Sequence, residues 1–178
     1  NQPDYCSFTI DWYNQKFNSV LNTINDHFSK FRISDALMCI YKLIWDDFCS
    51  VLLEIIKPQY GQPIDEKTYR DLIKIFEKNL IILHPFMPFI TEEIWHLIAK
   101  RKSEEAIIIS SWPEFDTNLP IEIINDFEVL QNIISGIRNI RKKYQFSFKE
   151  SLNLSVVNND NFSKNYDSII KKICNIKD

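Results

Sequence analysis

Three histidines, His27, His84 and His96, are scattered over separate segments, and no triad or metal-ligand spacing connects them. His84 falls at a predicted helix end, where a dipole or backbone contact accounts for it, and His96 reads as a helix surface or rim residue. Asp46 and Asp47 are adjacent, but successive helical residues point about 100° apart, so they do not form one acid/base pair. Cys6, Cys39, Cys49 and Cys174 make no CxxC pair and lack histidines at zinc spacing. Cys39 and Cys49 lie in apolar periodic stretches and read as buried free thiols, which fits a reducing, cytoplasmic setting. No glycine-rich phosphate loop occurs. The expectation is a chain with no catalytic residue, no metal site and no cofactor of its own.

Two clusters could instead bind. Arg138, Arg141 and Lys142 are spaced i, i+3, i+4 and so share one helical face, with Lys143 beside them. Such cations complement a helix C-terminus; a line of them on a rigid helix equally suits a phosphate edge. Trp12 and Lys16, at i and i+4, flank an apolar stripe that includes Tyr13 and Phe17. There an indole can stack an unpaired base while the ammonium meets phosphate. Core packing is the expectation for Tyr13 and Phe17, and Trp45 and Trp95 read as core or helix-interface anchors.

The elements that must hold these residues are helices. Tyr13, Phe17, Val20, Ile24, Phe28 and Phe31 recur three or four apart, predicting a helix from about Ile10 to Lys30. Ser34 is placed as N-cap of a second helix that runs to about Lys57, before Pro58, with Leu37, Ile40, Ile44, Phe48, Val51 and Ile55 as its stripe. Asp65 should cap a third, carrying Tyr69, Leu72, Ile73, Phe76, Leu80 and Leu83. The string from His84 to Trp95 has Pro85 and Pro88, which forbid an uninterrupted helix. It predicts a packed corner, its apolar residues buried, with Thr91 capping a fourth helix and Glu92 and Glu93 in the first turn. Ile107 to Trp112 reads as an extended segment across the bundle. A fifth helix spans about Ile121 to Tyr144, Leu152 to Val157 alternates like a strand, and Phe162 to Ile173 is a final helix.

Composition agrees. With only two glycines in 178 residues, positive-φ turns are scarce, which disfavours hairpin-rich β folds. No apolar run approaches the ~20 residues of a membrane helix, and a formal charge of −3 does not advertise a nucleic-acid binder, although local clustering suffices for phosphate. The chain starts at Asn1 rather than Met, and its tail closes nothing, so it reads as part of a longer protein. The expected fold is mainly α: an antiparallel helix bundle over 1–148, then the start of a small, truncated α/β subdomain over 149–178.

His84 to Trp95, together with Ile44-Trp45-Asp46-Asp47-Phe48-Cys49 and Leu53-Glu54-Ile55-Ile56-Lys57-Pro58, resembles the anticodon-binding helical domain of the valyl-tRNA synthetases. Ser110-Ser111-Trp112-Pro113 and Ile137-Arg138-Asn139-Ile140-Arg141 extend the likeness over about residues 10 to 157. The resemblance implies a class I ligase that joins valine to tRNA(Val) with ATP and Mg2+ in the cytoplasm. It implies that this chain, which lacks the HIGH and KMSKS signatures and any editing domain, is the part that reads the anticodon arm. The implied partners are tRNA(Val) and the remaining domains of the parent chain, with no membrane or DNA. Lys16 stands where the family commonly has Arg, and Arg138 and Arg141 match its Arg-x-x-Arg, so Trp12, Lys16, Arg138, Arg141 and Lys142 are the candidate tRNA contacts.

Two departures stand out. Val51-Leu52 replaces an aromatic pair, and Lys142 to Lys149 replaces an acidic residue followed by a double proline. Alternatives are the equivalent domain of an isoleucyl enzyme and a helical protein-interaction module with no RNA role.

Overall fold

The computed structural model describes residues 2–102, 104–115, 122–147, 149–155 and 164–177. Among them the chain is mostly helical and forms no β-strand. The order is α1 (Asp4–Ser29), α2 (Ile33–Lys42), a π-helical segment (Leu43–Leu52), α3 (Leu53–Ile56), α4 (Glu66–Leu83), α5 (Pro88–Ile98), a 3-10 turn (Ile107–Ile109), α6 (Glu122–Lys143) and α7 (Lys164–Cys174).

α1 is the axis of the bundle and packs against α2, the π segment, α4, α6 and α7. Cys6, Ile10, Tyr13, Phe17, Leu21 and Ile24, at helical spacing, are all buried along it. The Tyr13 hydroxyl donates to Asn79 Oδ1 of α4 at 2.9 Å, so the phenol keeps a partner inside the core. α1 stops by reversal: Phe31 takes φ 56°, and Arg32 N–H reaches back to His27 O at 2.8 Å. That six-to-one bond through a left-handed residue is the usual helix stop, although glycine is its usual occupant.

The second helix departs from expectation in two ways. It begins at Ile33, one residue before Ser34, and no side chain caps it. Ser34 therefore sits inside the first turn rather than at the cap. From Leu43 the backbone widens to i→i+5 bonding, and Ser50 Oγ donates to Trp45 O, five residues back, at 2.8 Å. The wider turn shifts the buried stripe to Leu43, Phe48 and Leu52, spaced five and four apart. Trp45 is exposed, and so is Leu37, since α2 turns Ala36 and Ile40 to the core instead.

Asp65 caps α4 as expected, its Oδ1 accepting from Thr68 N at 2.9 Å. At the corner, Pro88 is the first residue of α5, a position where its missing donor costs nothing. Thr91 is hence already helical and not the cap. Its hydroxyl donates to Met87 O at 2.8 Å and so accepts from His84 Nδ1, 2.7 Å away. With Thr91 moved inward, Glu92 and Glu93 fall beyond the first turn. Glu92 instead accepts from Ile107 N at 3.2 Å and from His96 Nε2 at 2.9 Å, tying the 3-10 turn to α5. The corner buries less than its composition suggests: Phe86 stacks on Phe28 of α1, but Phe89 is 90% exposed.

The stretch expected to be extended opens as the 3-10 turn and extends only from Ser110. Trp112 then lies against Phe28 and donates to Asn25 Oδ1 at 3.0 Å. Trp95 is half-buried, with the Arg101 guanidinium 3.8 Å above its ring; Arg101 also pairs with Glu77 of α4. The predicted strand at Leu152 to Val157 reduces to one parallel bridge, Leu152 to Ile176, among the described residues. Ile121, Phe148, Val156, Val157 and Phe162, on which other expectations fall, lie outside them. α7 adds Tyr166, Ile169, Ile170 and Cys174 to the hydrophobic cluster that α1 and α6 share, so it packs as part of the bundle.

Candidate nucleic-acid interface

The five residues singled out by sequence separate into interior and exterior sets. Trp12 is 2% exposed, its indole stacked on Phe127 of α6 with ring centroids 3.9 Å apart. A base cannot reach that face without parting α1 from α6, so Trp12 is a core residue and not a stacking platform. Position i+4 of a helix can lie half outside while position i lies inside: Lys16 is half-buried, one turn along. Its ammonium acts on Asp47 of the π segment and pulls the carboxyl's pKa down. Burial outweighs that pull, assisted by Asp46, and holds Asp47 above its ordinary range.

Arg141 is the second interior residue, at 5% exposure. α6 ends through Gln145 at φ 56°, with Phe146 N–H bonded to Arg141 O at 3.0 Å. The chain turned back by that stop passes over the guanidinium. Nη1 donates to Ser147 O at 2.9 Å and Glu150 O at 3.0 Å, and Nη2 to Cys174 O at 2.8 Å and Asn175 O at 3.1 Å. Those four carbonyls use the fork that a phosphate would need. Arg141 is thus a bracket between the end of α6 and the end of α7, and its guanidinium is not available to RNA in this arrangement.

Arg138 and Lys142 remain outside, one turn apart on α6. Arg138 stands at the rim of a groove of about 340 Å³ between α6, the π segment and α3. Gln131 and Ser135 precede it at i−7 and i−3, Ser50 and Glu54 face it, and Phe127, Ile55 and Ile173 form the floor. An apolar floor with amide and hydroxyl groups around it can take a flat heterocycle, with the Arg138 guanidinium on one wall for an anion and the Glu54 carboxylate on the other to keep that anion to the Arg138 side.

The polar wall of this groove escaped the sequence reading, which followed charge along α6. Gln131, Ser135 and Arg138, at i, i+4 and i+7, carried the missed signal. The two departures at Val51-Leu52 also separate here: Val51 lines the groove, while Leu52 is fully buried in the core.

No group of three or more potential metal-ligating side chains occurs among the described residues. Neither does any described helix have the length and apolarity to cross a membrane.

A helix bundle with a cationic, groove-bearing helix at its edge suits nucleic-acid binding, and residues 11–158 match the family described as "Anticodon-binding domain of tRNA ligase". The chain belongs to that family. Its relatives include the "Valine--tRNA ligase" of Christiangramia forsetii, 52% identical over 98% of this chain and 20% of that protein. That of Phocaeicola vulgatus is 41% identical over 98% of the chain and 20% of the relative. That of Chlorobaculum tepidum is 31% identical over 75% and 15%. The chain therefore spans about one fifth of the length of the first two relatives.

Proposed function

We propose that this chain is the anticodon-arm binding domain of a valine--tRNA ligase, the cytoplasmic parent enzyme attaching valine to tRNA(Val) at the expense of ATP. The observation that carries the reading is the family match over residues 11–158, joined to the three relatives above, each a valine ligase by name. That second fact favours the valyl over the isoleucyl alternative. ATP and Mg2+ belong to the parent's reaction. We assign that chemistry to the parts of the parent outside the fifth matched here.

RNA contact is assigned to the exterior set. Arg138 and Lys142 meet backbone phosphates, the groove beside Arg138 receives an unstacked base, and Lys16 adds a cation on α1. Trp12 and Arg141 act beneath them, fixing α6 against α1 and the end of α6 against α7. Phosphate contacts supply affinity without sequence information, and base contacts supply the discrimination.

The test is a titration of the intact parent protein, at low and moderate salt, with tRNA(Val) and with the same tRNA altered only in its anticodon. Weaker binding to the altered tRNA is the expected result, with affinity for both tRNAs lowered in Arg138→Ala and discrimination between them lost in Gln131→Ala, which alters the groove itself. Equal affinity for both tRNAs would remove anticodon reading from this domain.

A further inference from the structure

α2 and the start of the π segment carry apolar side chains on the core face and on the flank beside it. Ala36, Ile40 and Leu43 face the core and are fully buried, while Ile33, Leu37, Tyr41 and Trp45 are between 40% and 59% exposed. These four recur every four residues and form one ridge inclined to the helix axis, with the Tyr41 and Trp45 rings parallel to within 10°. At 1.5 Å per residue the ridge is about 18 Å long. An exposed apolar ridge of this kind marks a contact surface. The first relatives place four fifths of their length outside the part matched here, so most of the polypeptide available to cover it lies elsewhere in the parent.

From this we infer that the Ile33–Trp45 ridge is an intramolecular docking face, covered by an amphipathic helix from another part of the parent protein. A row of side chains four apart is the ridge that seats in the groove of a second helix. Nucleic acid suits it poorly. Ile33 and Leu37 have no π-face for a base, and the exposed charges beside the row, Arg32 and Lys42 against Asp35 and Asp46, balance instead of forming a cationic track for phosphates. The inference rests on the reading that the chain is part of a longer ligase, not on its binding tRNA. The mass of the gene product checks that premise separately.

The experiment uses the full-length parent. Leu37→Cys and, as a second probe should the first perturb folding, Tyr41→Cys are labelled with a maleimide. Thr23→Cys on the exposed side of α1 is the reference, and labelling is read on each peptide by mass. Labelling at positions 37 and 41 is expected to be slower than at 23 by about tenfold or more, at all protein concentrations and without tRNA, as for a site opened only by local unfolding. Comparable rates at all three positions would overturn the inference. So would protection that appears only when tRNA is added, which would make the ridge an RNA face, or only as protein concentration rises, which would make it a contact between copies.

Discussion

At Arg138 a guanidinium stands at the open rim of a polar groove; one turn on, at Arg141, the same group lies under the chain and holds four carbonyls. α1 repeats the contrast, with Trp12 sealed against Phe127 and Lys16 half outside. Spacing along a helix fixes which side chains share a face. It does not say whether a later part of the chain will cover that face. Here α6 covers Trp12, and the turn after α6 together with the end of α7 covers Arg141, so two residues with the chemistry of RNA contacts become structural.

The contrast predicts opposite readouts for the two sets. Trp12→Ala should give the largest effect, a loss of about 3–5 kcal/mol in urea unfolding, because it empties a packed seam between α1 and α6. A loss below about 1 kcal/mol would mean that the seam is loose enough for the indole to leave it. Arg141→Ala follows at about 2–4 kcal/mol, since it strands buried carbonyls at two chain ends. Arg141→Lys should recover little of this, as one ammonium cannot replace a five-donor fork.

On the exterior, Arg138→Ala and Lys142→Ala should each change stability by no more than about 0.5 kcal/mol. Each should instead lower tRNA affinity and reduce the magnitude of the salt slope by about one. If Arg138→Ala destabilised the fold as Arg141→Ala does, the division into two sets would collapse.

Asp47 tests the intermediate case of Lys16 and gives the smallest effect. Its folded-state pKa is raised mainly by burial, against the pull of Lys16. The protonated acid is therefore favoured in the fold, and that contribution is lost as pH rises through the raised pKa. Asp47→Asn removes the dependence, so its stability relative to the parent sequence should improve between about pH 3 and pH 7. An unchanged difference across that range would mean that Asp47 is solvated as an ordinary carboxylate.

Much of this architecture was legible in the residues. The stripe of α1, the Asp65 cap and the break at Pro85 and Pro88 depend on local chemistry: period, a short acceptor side chain, a missing donor. The π segment was not legible, because Leu43 to Leu52 has the composition of an ordinary helix and the shift from four to five residues shows only in which side chains are buried. Thr91 misled for a similar local reason. A threonine and a proline can both start a helix, and Pro88 came first. For the candidate site, the cationic face of α6 could be read from its spacing. The burial of Arg141 could not, since it depends on carbonyls of residues 147, 150, 174 and 175.

The bracket at Arg141 has a consequence for how the protein is made. Phe127 leaves the ribosome well before Tyr166, Ile169 and Ile170, and at about 5–20 residues per second the delay is a few seconds. During that interval α1 and α6 can meet, but the apolar surface that α7 will cover faces water, and the Arg141 charge has yet to meet Cys174 O and Asn175 O. The nascent domain thus passes through a half-closed stage with a wet, cationic seam. Docking of α7 ends that stage.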